Sequence, residues 1–400
     1  MQKMSKSNFY QNNLRWLYVI EFFSSLYFMI PVWVSMELTY ISLSQLTIIE
    51  IIIFGSQLVL ELPTGAFADL LGKRITVFLG NVITAISMVM FALATSFEGF
   101  VLSAIFIGLG AALTSGAKEA LLYDTLKQAD KEDTFDRVSS KQNVVFQGGM
   151  AAATLIGGLL WTVDYKLPAL LSGLAVLVAA GVTLLVIEPD IDSEVFTLKN
   201  YIQQTKQGFK EVFRTKYSTL LSFFYATIGA LTFSASTVFS KVVFVELLYS
   251  ESQMGVYFSV VRIFNSLLLY LMISRTKILT LKRTMWLFAF ATPLVFLPGT
   301  LFTKILVVPF VLGMMWLSSA RWVLLGKYTN KVFTSKNRAT AISALSMMVG
   351  IFYIGIMLVS GPIMEYYQSV LPLFTFLGVL ALVIVLPLGI RVASHSPSQE

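Results

Sequence analysis

The stretch GAFADLLGKR, residues 65–74, places an aspartate and two adjacent bases between two long apolar segments. Apolar segments of about 20 residues, enough to cross a hydrocarbon core as a helix, recur along the whole chain. Hydrophobic residues make up 56% of the 400 residues and charged residues only 13%, which lies outside the range of soluble globular domains. The sequence therefore predicts an all-α protein that crosses the membrane many times.

Polar breaks divide the sequence into twelve apolar segments, each predicted to be a membrane-spanning helix. They lie at about residues 14–36, 44–64, 75–95, 99–124, 141–163, 167–187, 217–243, 252–274, 284–303, 305–326, 338–361 and 368–390. The first segment is too long for a secretory signal, contains Glu21 and has no small-x-small cleavage site. A retained helix is therefore expected there.

The basic residues indicate the orientation of the chain. Most of the 29 Lys and Arg residues fall in or beside segments on the side of the amino terminus, whereas Lys166 and Lys304 fall on the opposite side. Because basic loops stay in the cytoplasm, both termini are predicted to be cytoplasmic. Four bases fall within predicted helices: Lys118, Lys241, Arg262 and Arg321.

Missing residue types exclude several kinds of site. The chain has no cysteine, and its only histidine, His395, lies in the polar tail, so no thiolate metal centre or histidine proton relay is expected. Little material remains for an active site, so we expect no enzyme activity, metal or cofactor. The net charge of +7 is spread over short loops, which argues against nucleic-acid binding. The expected partners are a small-molecule substrate, protons as the coupling ion and the lipid bilayer, with the protein a monomer.

The longest polar segment, Glu188 to Lys216, is the natural linker between two halves. It divides the chain into a six-helix bundle at 1–187, a cytoplasmic linker at 188–216 and a second six-helix bundle at 217–400. Apolar residues recur at helical spacing in the linker, opposite three lysines, which predicts an amphipathic helix on the inner leaflet. The apolar positions are Leu198, Ile202, Phe209, Val212 and Phe213, and the lysines are Lys199, Lys206 and Lys210.

The two halves echo one another. Short similar strings recur about 200 residues apart, in the same order, which is near half of the chain length. SQL at 44–46 matches SQM at 252–254, and SGAK at 115–118 matches SSAR at 318–321; Arg137 with Gly149 matches Arg338 with Gly350. These pairs predict two pseudo-symmetric six-helix repeats.

The opening stretch also resembles a known signature. As G-x-x-x-D-x-x-G-K-R between the second and third of twelve predicted helices, it resembles the loop signature of the major facilitator superfamily (MFS). Leu70 stands where the family usually has a base, and Lys73 where it usually has an arginine. The resemblance covers essentially the whole chain through the helix count, the division into halves and the long central loop.

Two further stretches carry this resemblance. SGAKEALLYD, residues 115–124, is similar to a stretch in many bacterial members of the family. GMAAATLIGG, residues 149–158, resembles the antiporter signature of the drug-efflux branch, with Ala153 and Thr154 in place of its central glycine and proline. Residues 97–113 contain no base, so the arginine that many efflux members carry early in the fourth helix is absent. The resemblance implies alternating access in a bacterial plasma membrane, around a midplane site lined mainly by helices one, four, seven and ten.

Glu21 is the leading candidate for a coupling carboxylate. It lies about one turn to the cytoplasmic side of the middle of the first predicted helix, and Ser25 and Phe28 continue its face. A carboxylate in this setting can bind a proton or a cationic group, and occupancy of the site would control its protonation. The alternative is a structural ion pair with Lys118 or Arg321.

Lys118 and Arg321 occupy matching positions in the two repeats, on helices four and ten. Two bases at similar depth could bind an anionic substrate group, or keep acids such as Glu21 and Glu119 ionised. Lys118 could instead extend to the inner membrane interface. Arg262, near mid-depth of the eighth helix, is expected either to touch substrate or to pair with an acid.

Helix seven carries a polar stripe at i, i+4, i+7 and i+11, formed by Tyr225, Gly229, Thr232 and Ser236. Such a stripe suits a cavity wall, although small polar residues also mediate ordinary helix packing in lipid. Phe28, Trp316 and Trp322 could stack on an aromatic or cationic solute, or face lipid. Glu50 and Lys241 are predicted as gate or interface residues.

The family pattern implies a cytoplasmic gate around the opening stretch. In that pattern Asp69 meets the amino-terminal end of the eleventh helix, near Ala339, where unpaired N–H groups favour an anion. Lys73 or Arg74 would then reach Asp124, at the end of the fourth helix. The full predicted gate consists of Glu61, Gly65, Asp69, Gly72, Lys73, Arg74, Asp124 and Arg338.

The main functional hypothesis is a proton-driven secondary transporter that exports small amphipathic compounds. An alternative is a proton-coupled transporter of an anionic or polar metabolite bound by Lys118 and Arg321. A channel would need a ring of filter groups, for which two repeats in one chain offer no symmetry. A non-transporting receptor or scaffold stays open, because a fold does not fix a function.

Overall fold

The computed structural model of the chain describes residues 6–190, 197–274 and 280–394, without the side chains of 61–69, 198, 273 and 274. These residues form fourteen helices and no strand. The helices are α1 Lys6–Ser24, α2 Trp33–Leu38, α3 Leu43–Leu71, α4 Lys73–Leu93, α5 Phe97–Gln128, α6 Phe135–Trp161, α7 Leu167–Thr183, α8 Leu198–Val212, α9 Lys216–Glu246, α10 Glu251–Ser274, α11 Leu281–Phe296, α12 Val307–Val332, α13 Arg338–Tyr367 and α14 Leu371–Ser394.

The all-α membrane class is confirmed. Within the described ranges, nine helices are long and apolar enough to cross a membrane: α3, α4, α5, α6, α9, α10, α12, α13 and α14. Helices α7 and α11 are shorter, with 17 and 16 residues. The count of twelve spans and the cytoplasmic position of both termini stay predictions.

The first predicted span, 14–36, is not one continuous helix. Helix α1 ends at Ser24, and α2 begins only at Trp33. Pro31 lacks a backbone N–H and disfavours helical geometry at the residue before it, while the Ser25 hydroxyl donates a hydrogen bond of 2.6 Å to the Phe22 carbonyl. The irregular segment 25–32 therefore interrupts an apolar run that looks uniform in sequence.

The chain packs into two compact units. The first comprises Met1–Ile41, Ile49–Leu198 and Glu251–Ile263, and the second comprises Ser42–Ile48, Lys199–Ser250 and Phe264–Glu400, each over its described residues. In the first unit, the Ser259 hydroxyl donates a hydrogen bond of 2.9 Å to the Ala151 carbonyl of α6. In the second, the Ser44 N–H donates one of 3.1 Å to the Glu365 carboxylate of α13. The predicted domain limits at 187 and 217 stay predictions.

Glycines let helices of the first unit approach closely. A β-carbon at Gly157 of α6 would collide with the carbonyl of Phe28, and one at Gly149 with the Ser25 hydroxyl. Gly149 and Gly157, in the stretch that resembles the antiporter signature, thus lie directly against the irregular segment 25–32. A residue larger than glycine at these positions would push that segment away from α6.

Three helices of the second unit contain a π-helical turn. These turns lie at Ala235–Phe239 in α9, Arg321–Leu325 in α12 and Ala381–Val385 in α14. A π-helical turn widens a helix locally and is frequent at functional sites. Three of the residues that the sequence singled out, Ser236, Arg321 and Trp322, lie in such turns.

The linker helix α8 belongs almost wholly to the second unit and packs against α13 there. Glu211 and Val212 are buried, and Gly208 lies so close to the carbonyl of Thr340 that a β-carbon would collide with it. Ile202 and Phe213 are exposed. The linker thus contains a helix, and its amphipathic placement on the inner leaflet stays a prediction.

Candidate substrate site

An ion pair lies at the end of the first unit that the sequence orients towards the cytoplasm. Helix α3 continues to Leu71, so most of the opening stretch is helical, and only Gly72 breaks the chain, with a φ of 87°. The Lys73 ammonium forms an ion pair with Asp124, as the family pattern implied. The side chains of Glu61 and Asp69, and the surroundings of Gly65, lie outside the described part of the chain. The contact expected between Asp69 and the eleventh helix stays a prediction.

Glu188 completes this end of the unit. Its two carboxylate oxygens accept hydrogen bonds from the backbone N–H groups of Lys73, at 2.7 Å, and Arg74, at 2.9 Å. The carboxylate thus caps the start of α4, where the helix dipole favours a negative charge. The Arg74 guanidinium donates to the carbonyl of Val186 at 3.1 Å. The sequence pattern marked Glu188 only as the first acid of the linker.

Glu21 and Lys118 form an ion pair within the first unit. The Glu21 side chain is 11% exposed and that of Lys118 is 29% exposed, so little solvent screens the pair. Glu21 therefore has the ion-pair partner Lys118, Lys118 is not a free base, and a coupling role for Glu21 stays a prediction. Glu119 is exposed, the Ser25 hydroxyl donates to the Phe22 carbonyl near the end of α1, and Phe28 is half-buried.

Arg321 has a different environment in the second unit. It is completely buried, and among the described residues none of its three guanidinium nitrogens bonds to an acid; Tyr225 is the polar side chain that interacts with it. Its guanidinium carbon lies 4.4 Å from the ring centre of Tyr225 and 4.7 Å from that of Trp322. Gly229 makes room for it, since a β-carbon there would lie 3.0 Å from the guanidinium. Two aromatic faces thus hold a cation that lacks an anionic partner within the described chain.

Other residues of the predicted stripe have local partners. The Thr232 hydroxyl donates to the carbonyl of Ile228 in its own helix, at 2.7 Å. Ser236 contacts the hydroxyl of Ser318, on α12, at 3.3 Å. The buried indole nitrogen of Trp316 has no hydrogen-bond partner in the described ranges. The stripe thus joins α9 to α12 beside Arg321.

The sequence model of the Major Facilitator Superfamily matches residues 17–320, about three quarters of the chain. This chain belongs to the major facilitator superfamily. No curated protein sequence matches the chain. The match to the family model therefore shows the family, and the likeness to solved structures shows the fold.

Several solved transporters share the MFS fold of this chain. A mutant of the nucleoside transporter NupG aligns with a TM-score of 0.77 at 16% identity, over 96% of this chain and 100% of that one. A bacterial homologue of the human lysosomal transporter Spinster aligns at 0.70 and 15% identity, over 98% of both chains. A mutant of the peptide transporter POT aligns at 0.68 and 14% identity, over 98% of this chain and 99% of that one. The family and fold support secondary transport by a multi-pass membrane protein.

Arg262 and Arg338 are two further predicted residues of this MFS protein. Arg262, which belongs to the first unit, donates a hydrogen bond of 2.9 Å to the side-chain carbonyl of Gln147 on α6. Arg338 is exposed and donates a hydrogen bond of 3.4 Å to the Ser335 hydroxyl. Arg262 thus takes part in helix packing, and the role of Arg338 as a gate residue stays a prediction.

Glu37 was not predicted from the sequence of this MFS chain. Glu37 and Glu50 are buried, at 2% and 8% exposure, and both line one cavity of the first unit. Glu37 lies one residue beyond the first predicted span, so the apolar segments did not include it. An acid on each side of the short turn between two apolar segments was the available signal.

In the described part of the chain no group of acidic or histidine side chains is arranged to hold a metal ion.

Proposed function

We propose that this protein is a proton-coupled secondary transporter of small amphipathic solutes that carry an anionic group, with Arg321 as the binding residue for that group. The single observation that supports this substrate class is the buried Arg321 guanidinium, which has no acidic partner among the described residues. A charge in the membrane core costs at least about 2.5–3.5 kcal/mol on insertion scales, so an unpaired one indicates a function. A carboxylate or phosphate on the solute would accept hydrogen bonds from the N–H groups of the planar Arg321 guanidinium.

The aromatic neighbours favour an apolar body beside the anionic group. Tyr225 and Trp322 present ring faces to Arg321, and Trp322 is itself 55% exposed. Because Arg321 is fully shielded in this state, a solute reaches it only after these covering side chains move. Alternating access supplies such a movement, with Arg321 accessible in one state and covered in another.

Glu21 and Lys118 form the proposed coupling pair. Protonation of Glu21 removes the attraction that holds Lys118, so proton binding would favour a different arrangement of α1 and α5. Lys118 is neutralised by this pair, which leaves Arg321 as the better candidate of the two bases for a substrate anion. The stretch at 149–158 resembles the antiporter signature of the drug-efflux branch. We therefore propose that the solute is exported and that proton entry drives the export.

A binding screen on the purified full-length protein tests the substrate class. Aromatic carboxylates would be compared with their amides, by thermal stabilisation of wild type, Arg321→Gln and Arg321→Lys. We expect stabilisation by carboxylates that is lost in Arg321→Gln and only partly kept in Arg321→Lys. Equal stabilisation of wild type and Arg321→Gln by the same carboxylates would disprove the assignment of Arg321.

Transport into proteoliposomes tests the coupling. A hit from the screen should move against its gradient when a pH gradient is imposed, and Glu21→Gln should exchange the solute without responding to that gradient. Glu132→Gln, an exposed acid on the turn before α6, is the matched control. If the Glu21→Gln protein still concentrates the solute in response to the pH gradient, Glu21 is not the coupling residue.

A further inference from the structure

A cavity of about 160 Å³ lies wholly within the first unit. Its walls come from the irregular segment 25–32 and from α2, α3, α4 and α5. The engineered cavity that holds benzene has a similar volume of about 150 Å³. The space therefore accommodates a ligand with roughly the bulk of one small ring.

Two carboxylates face this space, and no basic side chain is among its described lining residues. Glu37 on α2 and Glu50 on α3 both line the cavity, and Glu37 is 2% exposed. The Oε2 atom of Glu37 is buried without a hydrogen-bond partner in the described chain. A buried carboxylate oxygen with no donor is costly, so a positively charged donor from a ligand would stabilise it.

The remaining walls are aromatic and aliphatic. Tyr27, Trp33, Phe91 and Phe100 line the cavity, and the rings of Phe91 and Phe100 meet edge to face at 5.2 Å. Aromatic faces attract organic cations through their negative π clouds. An inorganic cation such as Ca²⁺ needs six to eight oxygen ligands, and besides the carboxylates only Tyr27 and Ser103 bring side-chain oxygens to these described walls. The Ser103 hydroxyl already donates to the Ser87 carbonyl, at 3.0 Å.

We propose that this cavity binds a small organic ammonium ion, with Glu37 as its carboxyl partner, Glu50 beside it, and Trp33 and Phe91 as its aromatic walls. The ammonium group would donate to the free oxygen of Glu37. The apolar part of the ion would contact the rings. This site differs from the proposed anion site in charge and in its unit of the chain, so each can fail without the other.

Benzylammonium is a suitable probe, because it joins one ring to an ammonium group, and benzyl alcohol is its neutral counterpart. Binding would be measured by calorimetry on the purified full-length protein at pH 7. We expect benzylammonium to bind at least about ten-fold more tightly than benzyl alcohol. Glu37→Gln should weaken benzylammonium binding about ten-fold or more and change benzyl alcohol binding less than about two-fold.

Two further variants complete the test. Glu98→Gln changes an exposed acid at the start of α5 and should leave binding of both probes unchanged. Trp33→Leu keeps the carboxylates and should weaken benzylammonium by about three-fold or more, which tests the site even if Glu37→Gln does not fold. The proposal is overturned if wild type does not bind benzylammonium, if it binds both probes equally, or if neither variant weakens the binding. An acid pair that exchanges only protons would give the first of these results.

Discussion

Lys118 on α5 forms an ion pair with Glu21 on α1, and both side chains are mostly buried. Removing one partner leaves a charge in apolar surroundings, whereas removing both does not. We expect Glu21→Gln to lower the free energy of unfolding by roughly 1–3 kcal/mol and the double variant with Lys118→Met to recover most of it. Thermal unfolding in detergent would measure these changes as a double-mutant cycle.

The exposed pair of Lys6 and Asp130 is the control for this cycle. Its side chains are 66% and 73% exposed, so solvent screens their attraction. Breaking it with Asp130→Asn should produce no measurable change in stability. A loss as large as that for Glu21→Gln would show that burial does not strengthen the Glu21–Lys118 pair.

Gly229→Ala tests the position of Arg321. The new β-carbon would lie 3.0 Å from the guanidinium, which must then shift by a few tenths of an ångström. Because alanine favours a helix over glycine, stability should stay nearly constant, while anionic solutes should bind roughly ten-fold more weakly. Gly350→Ala, whose β-carbon meets nothing within 4 Å, is the control. If Gly229→Ala binds anionic solutes as tightly as wild type, binding does not depend on the exact position of the Arg321 guanidinium.

Gly157→Ala tests the packing of the irregular segment. Its β-carbon would collide with the backbone carbonyl of Phe28, which cannot move without shifting the segment 25–32. We expect a loss of about 1–3 kcal/mol in the free energy of unfolding. Gly148→Ala on the same helix has open space around its β-carbon and should be neutral or slightly stabilising. Equal stability of the two variants would mean that the approach of α6 to Phe28 is not tight.

Glu211 should make the stability of the second unit depend on pH. Burial raises the pKa of this carboxyl, but hydrogen bonds from the Thr334 N–H, at 2.8 Å, and Asn337, together with the Arg214 charge, outweigh burial and hold the pKa below its usual range. A lowered folded pKa gives stability that is fully present above the unfolded pKa of about 4.3 and is lost as pH falls through the folded pKa.

Melting curves between pH 6 and pH 3 check this expectation. Wild type should lose stability across the acid range, and Glu211→Gln should start less stable at pH 6 and lose less on acidification. The exposed Glu132→Gln variant should behave like wild type. Identical acid dependence of wild type and Glu211→Gln would exclude Glu211 as the titrating group.

Glu188 should stabilise the start of α4. Glu188→Ala removes the acceptor for two backbone N–H groups and should cost about 0.5–2 kcal/mol, as for the loss of a helix cap. Asp190→Asn, an exposed change two residues later, is the comparison. Unfolding measurements that rank the two variants equally would show that the cap contributes nothing.

The apolar segments sufficed to predict the positions of most helices, because the cost of unsatisfied backbone groups in lipid dictates helices of that length. The family pattern offered Lys73 or Arg74 as the partner of Asp124, and the structure pairs Lys73 with it. Other features depend on packing that a single sequence does not reveal. The break at 25–32 lies in a uniformly apolar run, and the π-helical turn at Arg321 leaves no mark in the hydrophobic pattern.

The partners of the charged residues were harder to predict than their positions. Lys118 and Arg321 look equivalent in the two repeats, yet one is paired with Glu21 and the other is held by aromatic rings. Glu37 was missed because it falls one residue outside an apolar segment, and its burial becomes visible only when α2 packs beside α3. Residues that are distant in sequence determine whether a charged side chain forms an ion pair, caps a helix or is available to bind a ligand.

The cap formed by Glu188 has a consequence for dividing the protein experimentally. A fragment that stops at residue 187, the limit of the first predicted bundle, would lack the carboxylate that closes the end of α4. A fragment that extends to residue 190 would retain it, together with the hydrogen bond of 2.8 Å from the Asp190 N–H to Gln128. The hydrogen bonds that close the start of α4 and the end of α5 thus reach past residue 187, into the segment that looks like a linker.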